Sequence, residues 1–136
     1  MALQYAVSTR NAKLDAVETD VGTSPILKIR TSTPPADCAT ADSGTVLATL
    51  TLPSDWMNAA SGGTKTLLGT WQDTSADAAG TAGHFRIYVG PAGTVCKIQG
   101  TVTATGGGGD MTVDNAVFAL AQSFTITSFT ITAGNA

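Results

Sequence analysis

Near its C-terminal end the chain reads Phe124-Thr-Ile-Thr-Ser-Phe-Thr-Ile-Thr132, with threonine alternating against phenylalanine and isoleucine. β-Branched and aromatic residues at every second position specify a strand and not a helix. The phrase FTIT returns after five residues, an odd number. In a regular strand Phe124 and Ile126 would face one side, and Phe129 and Ile131 the other. One extra residue near Thr127 or Ser128, a β-bulge, brings all four to one core face. The alternative is a strand covered on both sides, as at a corner between packed sheets or inside an assembly. Either arrangement places the segment in a closed or two-layered β structure.

Most of the remaining chain has the same character. Ile26–Thr31 and Thr45–Leu52 are apolar or alternating runs. In the second, Val46, Ala48, Leu50 and Leu52 share a face. The loop between them contains Pro34-Pro35, which suits neither a helix nor a central strand. Thr64–Gln72 predicts a further strand in which Trp71 fills core. Gly83–Val89 and Thr94–Thr103 flank a turn at Gly90–Gly93 and predict a hairpin. There Phe85, Ile87 and Val89 face inward, and His84, Arg86 and Tyr88 face solvent. Gly106–Gly109 predict a flexible connection or tight bend before Met111–Asp114. One helix is expected near the start. Ser8 or Thr9 is a suitable cap, Leu14, Val17 and Val21 recur at helical spacing, and Gly22 supplies a stop. The apolar stripe Leu14, Val17, Val21 packs on its own domain or docks on a partner. The fold class expected is therefore all-β: an antiparallel β-sandwich or jelly roll of seven or eight strands with one N-terminal helix. Residues 1–136 form a single domain, with 1–22 as N-terminal arm and helix.

At 13.7 kDa, size scaling gives about 6,600 Å² of folded surface, enough burial for a self-standing core. Charged residues are only 12% of the chain, roughly half the usual share. Much of the surface is thus Thr, Ser, Ala and Gly, and little needs desolvating when a partner covers it. The net charge is −3, and the basic residues are scattered from Arg10 to Lys97, so no footprint for nucleic acid is expected. The start, MALQYAVSTR, lacks the basic-then-apolar pattern of a signal peptide, and no segment reaches membrane-spanning length. Cys38 and Cys96 are then expected as free thiols. Were they to pair, they would close a loop running from 38 to 96, worth about 4 kcal/mol by chain entropy.

Residues able to carry chemistry are few: one histidine, His84, and one glutamate, Glu18. A triad would have to join His84 to Ser75 and Asp77, without any nucleophile elbow. Asp110 and Asp114 would lie about 13 Å apart on one strand face, beyond the reach of paired glycosidase carboxylates. The stretch GGGGDMTVDN lacks the alternating oxygen ligands of a calcium loop, and the glycine run lacks the Lys-Ser/Thr of a phosphate loop. Asp110 and Asp114 are expected to cap turns. Trp56, Tyr88 and Phe85 are candidates for stacking on sugar, with core packing as the alternative. No catalytic residue, cofactor or metal site is expected.

Four phrases, MALQYAVSTRNAKLDAVE, SGTVLATLTLPSDWM, GTWQDTSADAAGTAGHFRIY and CKIQGTVTATGGGGDMTVDN, resemble small virion proteins of tailed bacteriophages and prophages, of the capsid cement or decoration type. The resemblance runs from Met1 to the FTIT repeat and carries no catalytic motif. It implies a bacteriophage structural protein on the capsid exterior, synthesised in the host cytoplasm. Its partners would be the major capsid protein and itself, as a homodimer or other symmetric homo-oligomer, with neither nucleic acid nor membrane. Two alternatives are a tail or head-fibre attachment module and a carbohydrate-binding β-sandwich.

Overall fold

In the computed structural model, which describes residues 1–135, the FTIT segment is one nine-residue strand, Phe124–Thr132. Its pairing with the neighbouring strand steps from Ile126↔Val113 to Ser128↔Thr112. Thr127 is the extra residue, so the bulge expected from the odd repeat is present. Phe124, Ile126 and Phe129 are buried, and Ile131 packs against the same core.

In chain order the elements are α1 (Val7–Val21), β1 (Ile26–Arg30), β2 (Val46–Thr51), β3 (Thr64–Thr66), β4 (Gln72–Asp73) and β5 (Gly80–Thr81). They continue as β6 (His84–Tyr88), β7 (Cys96–Ala104), β8 (Met111–Val113), β9 (Val117–Phe118) and β10 (Phe124–Thr132). Eight strands form one sheet in the order β2-β1-β6-β7-β8-β10-β3, with β4 also paired to β10, and β5 and β9 form a small second sheet. The long stretch Thr64–Gln72 is thus divided between β3 and β4. The sheet curls until β4 comes beside β2, where the Asp77 and Ala78 amides donate to the Leu47 carbonyl.

The large sheet is mixed, which corrects the expectation of purely antiparallel pairing. β7 and β8 run parallel, with Val102↔Met111 and Ala104↔Val113 in register. Parallel neighbours ordinarily need a crossover of a dozen or more residues. Here residues 105–110 suffice, because the glycine run folds back against β7. A side chain on Gly109 would press on the Thr103 backbone amide, and one on Gly107 on the Thr103 side chain. Gly107 and Gly109 therefore pack the bend against β7, and Gly106 and Gly108 supply its positive φ, 86° and 81°.

Inside the curl, Trp71 lies between Trp56, with ring centroids 6.0 Å apart, and Phe129, at 5.5 Å. Phe85 meets Phe129 edge-on at 5.6 Å. Leu27, Ile29, Leu50, Ile87, Val102 and Val113 fill the surrounding space. The accessible surface, 6590 Å², equals that expected for a compact monomer of this mass. The core is therefore closed without any second chain.

Helix α1 belongs to this body. Its first turn follows Ala6, with no side-chain cap, so neither Ser8 nor Thr9 serves as expected; Gly22, with φ 86°, does supply the stop. Leu14 and Val21 are buried and Val17 is half-buried. The stripe suggested for partner contact faces inward on its own chain. Lys65 of β3, 2% exposed, fixes the flank of that stripe through Asp15 and Glu18, both at 2.7 Å. Only Met1–Ala6 lies outside the helix as an arm.

Candidate functional site

The strand β6 is buried on both faces, against the expectation of one solvated side. Phe85 and Ile87 face the core as anticipated. His84, Arg86 and Tyr88, on the other face, are also buried. Residues 31–45, the connection between β1 and β2, fold over them as a flap. Its ends are joined where the Thr31 amide donates to the Thr45 carbonyl at 3.1 Å.

Arg86 holds the flap down. All five of its N–H donors are used. Nη1 reaches the Thr40 carbonyl at 3.0 Å and the Asp42 carboxylate. Nη2 reaches the carbonyls of Asp37 at 3.2 Å and Cys38 at 2.8 Å. Nε donates to the Cys96 sulfur at 3.2 Å. Asp42 gathers two further donors, Arg30 Nη2 at 2.6 Å and the Tyr88 hydroxyl at 2.7 Å. At the flanks, Gln99 Nε2 donates to the Pro35 carbonyl at 2.7 Å and His84 Nδ1 to the Ser32 carbonyl at 2.9 Å. Carbonyls of a chain segment that cannot join a sheet are thereby satisfied by side chains of one that does.

The same enclosure perturbs the phenol. Burial, followed by the hydrogen bond to the Asp42 carboxylate, pushes Tyr88 up to about 12. Between about pH 10 and 12 the neutral form is favoured only in the folded chain. The associated stability is complete below the unfolded value, near 10, and is lost as pH rises toward 12. In a Tyr5→Phe background, ultraviolet titration of the remaining tyrosine should place its midpoint near 12. A midpoint at 10 in the folded protein would show that the flap leaves Tyr88 open to solvent.

A cavity of about 370 Å³ remains at the flap edge, lined by Cys38, Asp42, Arg86, Tyr88, Thr94 and Cys96. A larger one, about 660 Å³, lies between α1 and residues 54–59 and includes Asp15, Glu18, Asp55 and Lys65. In the larger cavity the Lys65 ammonium is already held by two carboxylates. Its charge is compensated, and its lone pair is unavailable as a base.

The residues singled out from sequence are not brought together. His84 is buried beneath the flap, while Ser75 and Asp77 are exposed. Asp110 accepts from the Thr101 amide and hydroxyl, both at 2.8 Å. Asp114 accepts from the amides of Asn115 at 2.9 Å and Thr125 at 3.0 Å. Both aspartates thus have the expected turn-holding roles. Among the described residues no three His, Cys, Asp or Glu side chains converge to hold a metal ion. Trp56 and Phe85 are core, and Tyr88 lies beneath the flap, so none offers a ring face to a sugar. No helix among the described residues is long and apolar enough to cross a membrane.

The Arg86–Asp42 cluster is what the sequence reading missed. Its only local trace is an arginine at the centre of a strand otherwise built of apolar and aromatic residues. No protein-family model, curated protein or solved structure matches this chain.

Proposed function

We propose that this chain is a phage virion structural protein that binds the outer surface of the capsid and reinforces it. The observation that carries the reading is the arm. Met1, Leu3 and Tyr5 are all exposed, Leu3 by 70%, and they stand at every second position. Paired as a strand, they would present one apolar face. Such a segment gains main-chain hydrogen bonds and side-chain burial by adding to a sheet edge of the shell. The arm is anchored beside a rigid body: the Tyr5 amide donates to Asn135 Oδ1 at 2.9 Å, and Lys13 Nζ sits 3.3 Å from the Tyr5 ring centroid.

The exterior also supports the reading. Each of the seven basic side chains has a partner within the chain. Arg30, Lys65, Arg86 and Lys97 meet carboxylates, Arg10 meets the Ala133 carbonyl, and Lys13 and Lys28 lie over tyrosine rings. What remains outside is a low-charge surface that loses little on contact. A lattice of identical sites multiplies a modest affinity. We read the curled sheet, closed by β4 and by the β5–β9 pair, as a variant of the sandwich or jelly roll. The major capsid protein is the partner in this reading, with symmetric self-association on the shell.

The test is cosedimentation with purified empty phage heads, followed by electron microscopy. Density on the outer shell, lost when residues 1–6 are deleted without change in melting temperature, supports the proposal. Density confined to the tail transfers the chain to a tail attachment role. Absence from both rejects a virion role on that particle.

A further inference from the structure

We propose that Cys38 and Cys96 form a modification site, an intramolecular disulfide made by exchange with a small disulfide of the glutathione class. This inference is independent of the virion reading.

The geometry rests on Arg86. Its Nε donates to the Cys96 sulfur at 3.2 Å and its Nη2 to the Cys38 carbonyl at 2.8 Å. Nε and Nη2 are neighbouring donors on one planar guanidinium. One guanidinium thus ties the Cys96 sulfur and the Cys38 main chain to the same place. The Cys96 sulfur also faces the Ile98 carbonyl at 3.4 Å, and the neighbouring Cys38 thiol is among the groups that push the Cys96 thiol up. Both residues are half-buried and both open on the 370 Å³ cavity at the flap edge. Cys96 begins β7, where a register shift opposite Tyr88 leaves Lys97 as the extra residue. One cysteine therefore belongs to the sheet and the other to the flap. A bond between them would lock the flap shut.

Exchange conserves atoms and electrons. The Cys38 thiol, deprotonated to solvent, attacks one sulfur of the small disulfide and expels one thiolate, leaving a mixed disulfide on Cys38. Cys96 then gives up its proton and attacks the Cys38 sulfur, and the second small thiolate leaves. Each expelled thiolate takes up a proton. Two protein thiols are oxidised and one small disulfide is reduced to two thiols. Burial pushes the Cys96 thiol up to about 11, against the pull of Arg86. At neutral pH it is protonated and slow to attack solvent oxidants by itself. As the second nucleophile it needs only transient ionisation, beside a sulfur already in place. The Arg86 Nε–H then stabilises the thiolate as it forms.

The experiment incubates the folded full chain with excess oxidised glutathione. It is then quenched in acid, and free thiols are alkylated under denaturing conditions for mass spectrometry. The expected product is a monomer lighter by two hydrogens, with neither cysteine alkylated. Its melting temperature should rise by about 5–15 °C and fall back on reduction with dithiothreitol. Cys38→Ser and Cys96→Ala variants should show neither the mass change nor the rise. The proposal is overturned if both thiols of the native chain remain free. It is equally overturned if glutathione stays attached to either cysteine, or if the oxidised product is a covalent dimer.

Discussion

Replacing Arg86 by alanine should cost about 3–4 kcal/mol of folding stability, a large share of the margin of a domain this size. The substitution removes five hydrogen bonds at once. It strips four flap acceptors of their shared donor and leaves a void beneath residues 37–42. The loss is capped by flap opening, because the freed carbonyls can then reach water. Arg86→Lys should recover little of it, since one ammonium cannot serve acceptors spread around a planar fork. Urea unfolding gives the magnitude, and limited proteolysis between Pro35 and Asp42 reports release of the flap.

Acid should produce a partial version of the same defect. Burial raises the Asp42 carboxyl, but the Tyr88 hydroxyl, Arg30 and Arg86 together hold it below the ordinary carboxylate range. The stability it contributes is present above the unfolded value, near 3.9, and is lost as pH falls through the folded one. An Asp42→Asn variant should melt earlier at pH 7 and show a shallower acid limb. An Arg86→Ala protein with unchanged stability and an uncut flap would refute this account of the cluster.

Deleting Thr127 should be still more damaging. The bulge is the device that reconciles a five-residue repeat with a two-residue strand period. Without it, either Phe129 and Ile131 turn outward or the end of β10 slips against both β8 and β3. Phe129 touches Trp71 and Phe85, and emptying its site alone costs about 3–5 kcal/mol. Register with Thr64–Thr66 would be lost as well. We expect the deletion variant not to fold cooperatively at 25 °C by circular dichroism and thermal melting. Thr127→Gly keeps the extra residue but loses the hydroxyl contacts to Thr105 and Thr112, at 2.8 and 2.7 Å. It should cost only about 1–2 kcal/mol. Equal behaviour of the two variants would mean that the bulge does not set the register.

These two features differ in how visible they were beforehand. The bulge could be read from the sequence because period and repeat are both properties of a contiguous segment. Trp71 as core, Gly22 as a helix stop and Asp110 as a turn residue were legible for the same reason. The second burial of β6 was not. Alternation in GHFRIYV defines two faces but says nothing of what covers the second. The covering segment, with its paired prolines and Thr, Ser and Asp, has the composition of a solvated loop. Asp42 and Arg86 meet only through the β1–β6 pairing, which no local pattern announces. The parallel step from β7 to β8 was hidden because short connections ordinarily make hairpins; only the packing of Gly107 and Gly109 on Thr103 allows the exception. Lys65 likewise reads as a surface residue of a strand until α1 is laid across it.

The Tyr5–Asn135 and Arg10–Ala133 hydrogen bonds bring the two ends of the fold to one spot. Polypeptides fused at the two ends would consequently be tethered at neighbouring points, beside Tyr5 and Asn135. The molecule thus has one end from which cargo can project, while its remaining perimeter stays clear for neighbours. A short linker could also join the ends and let the chain be reopened at another surface turn.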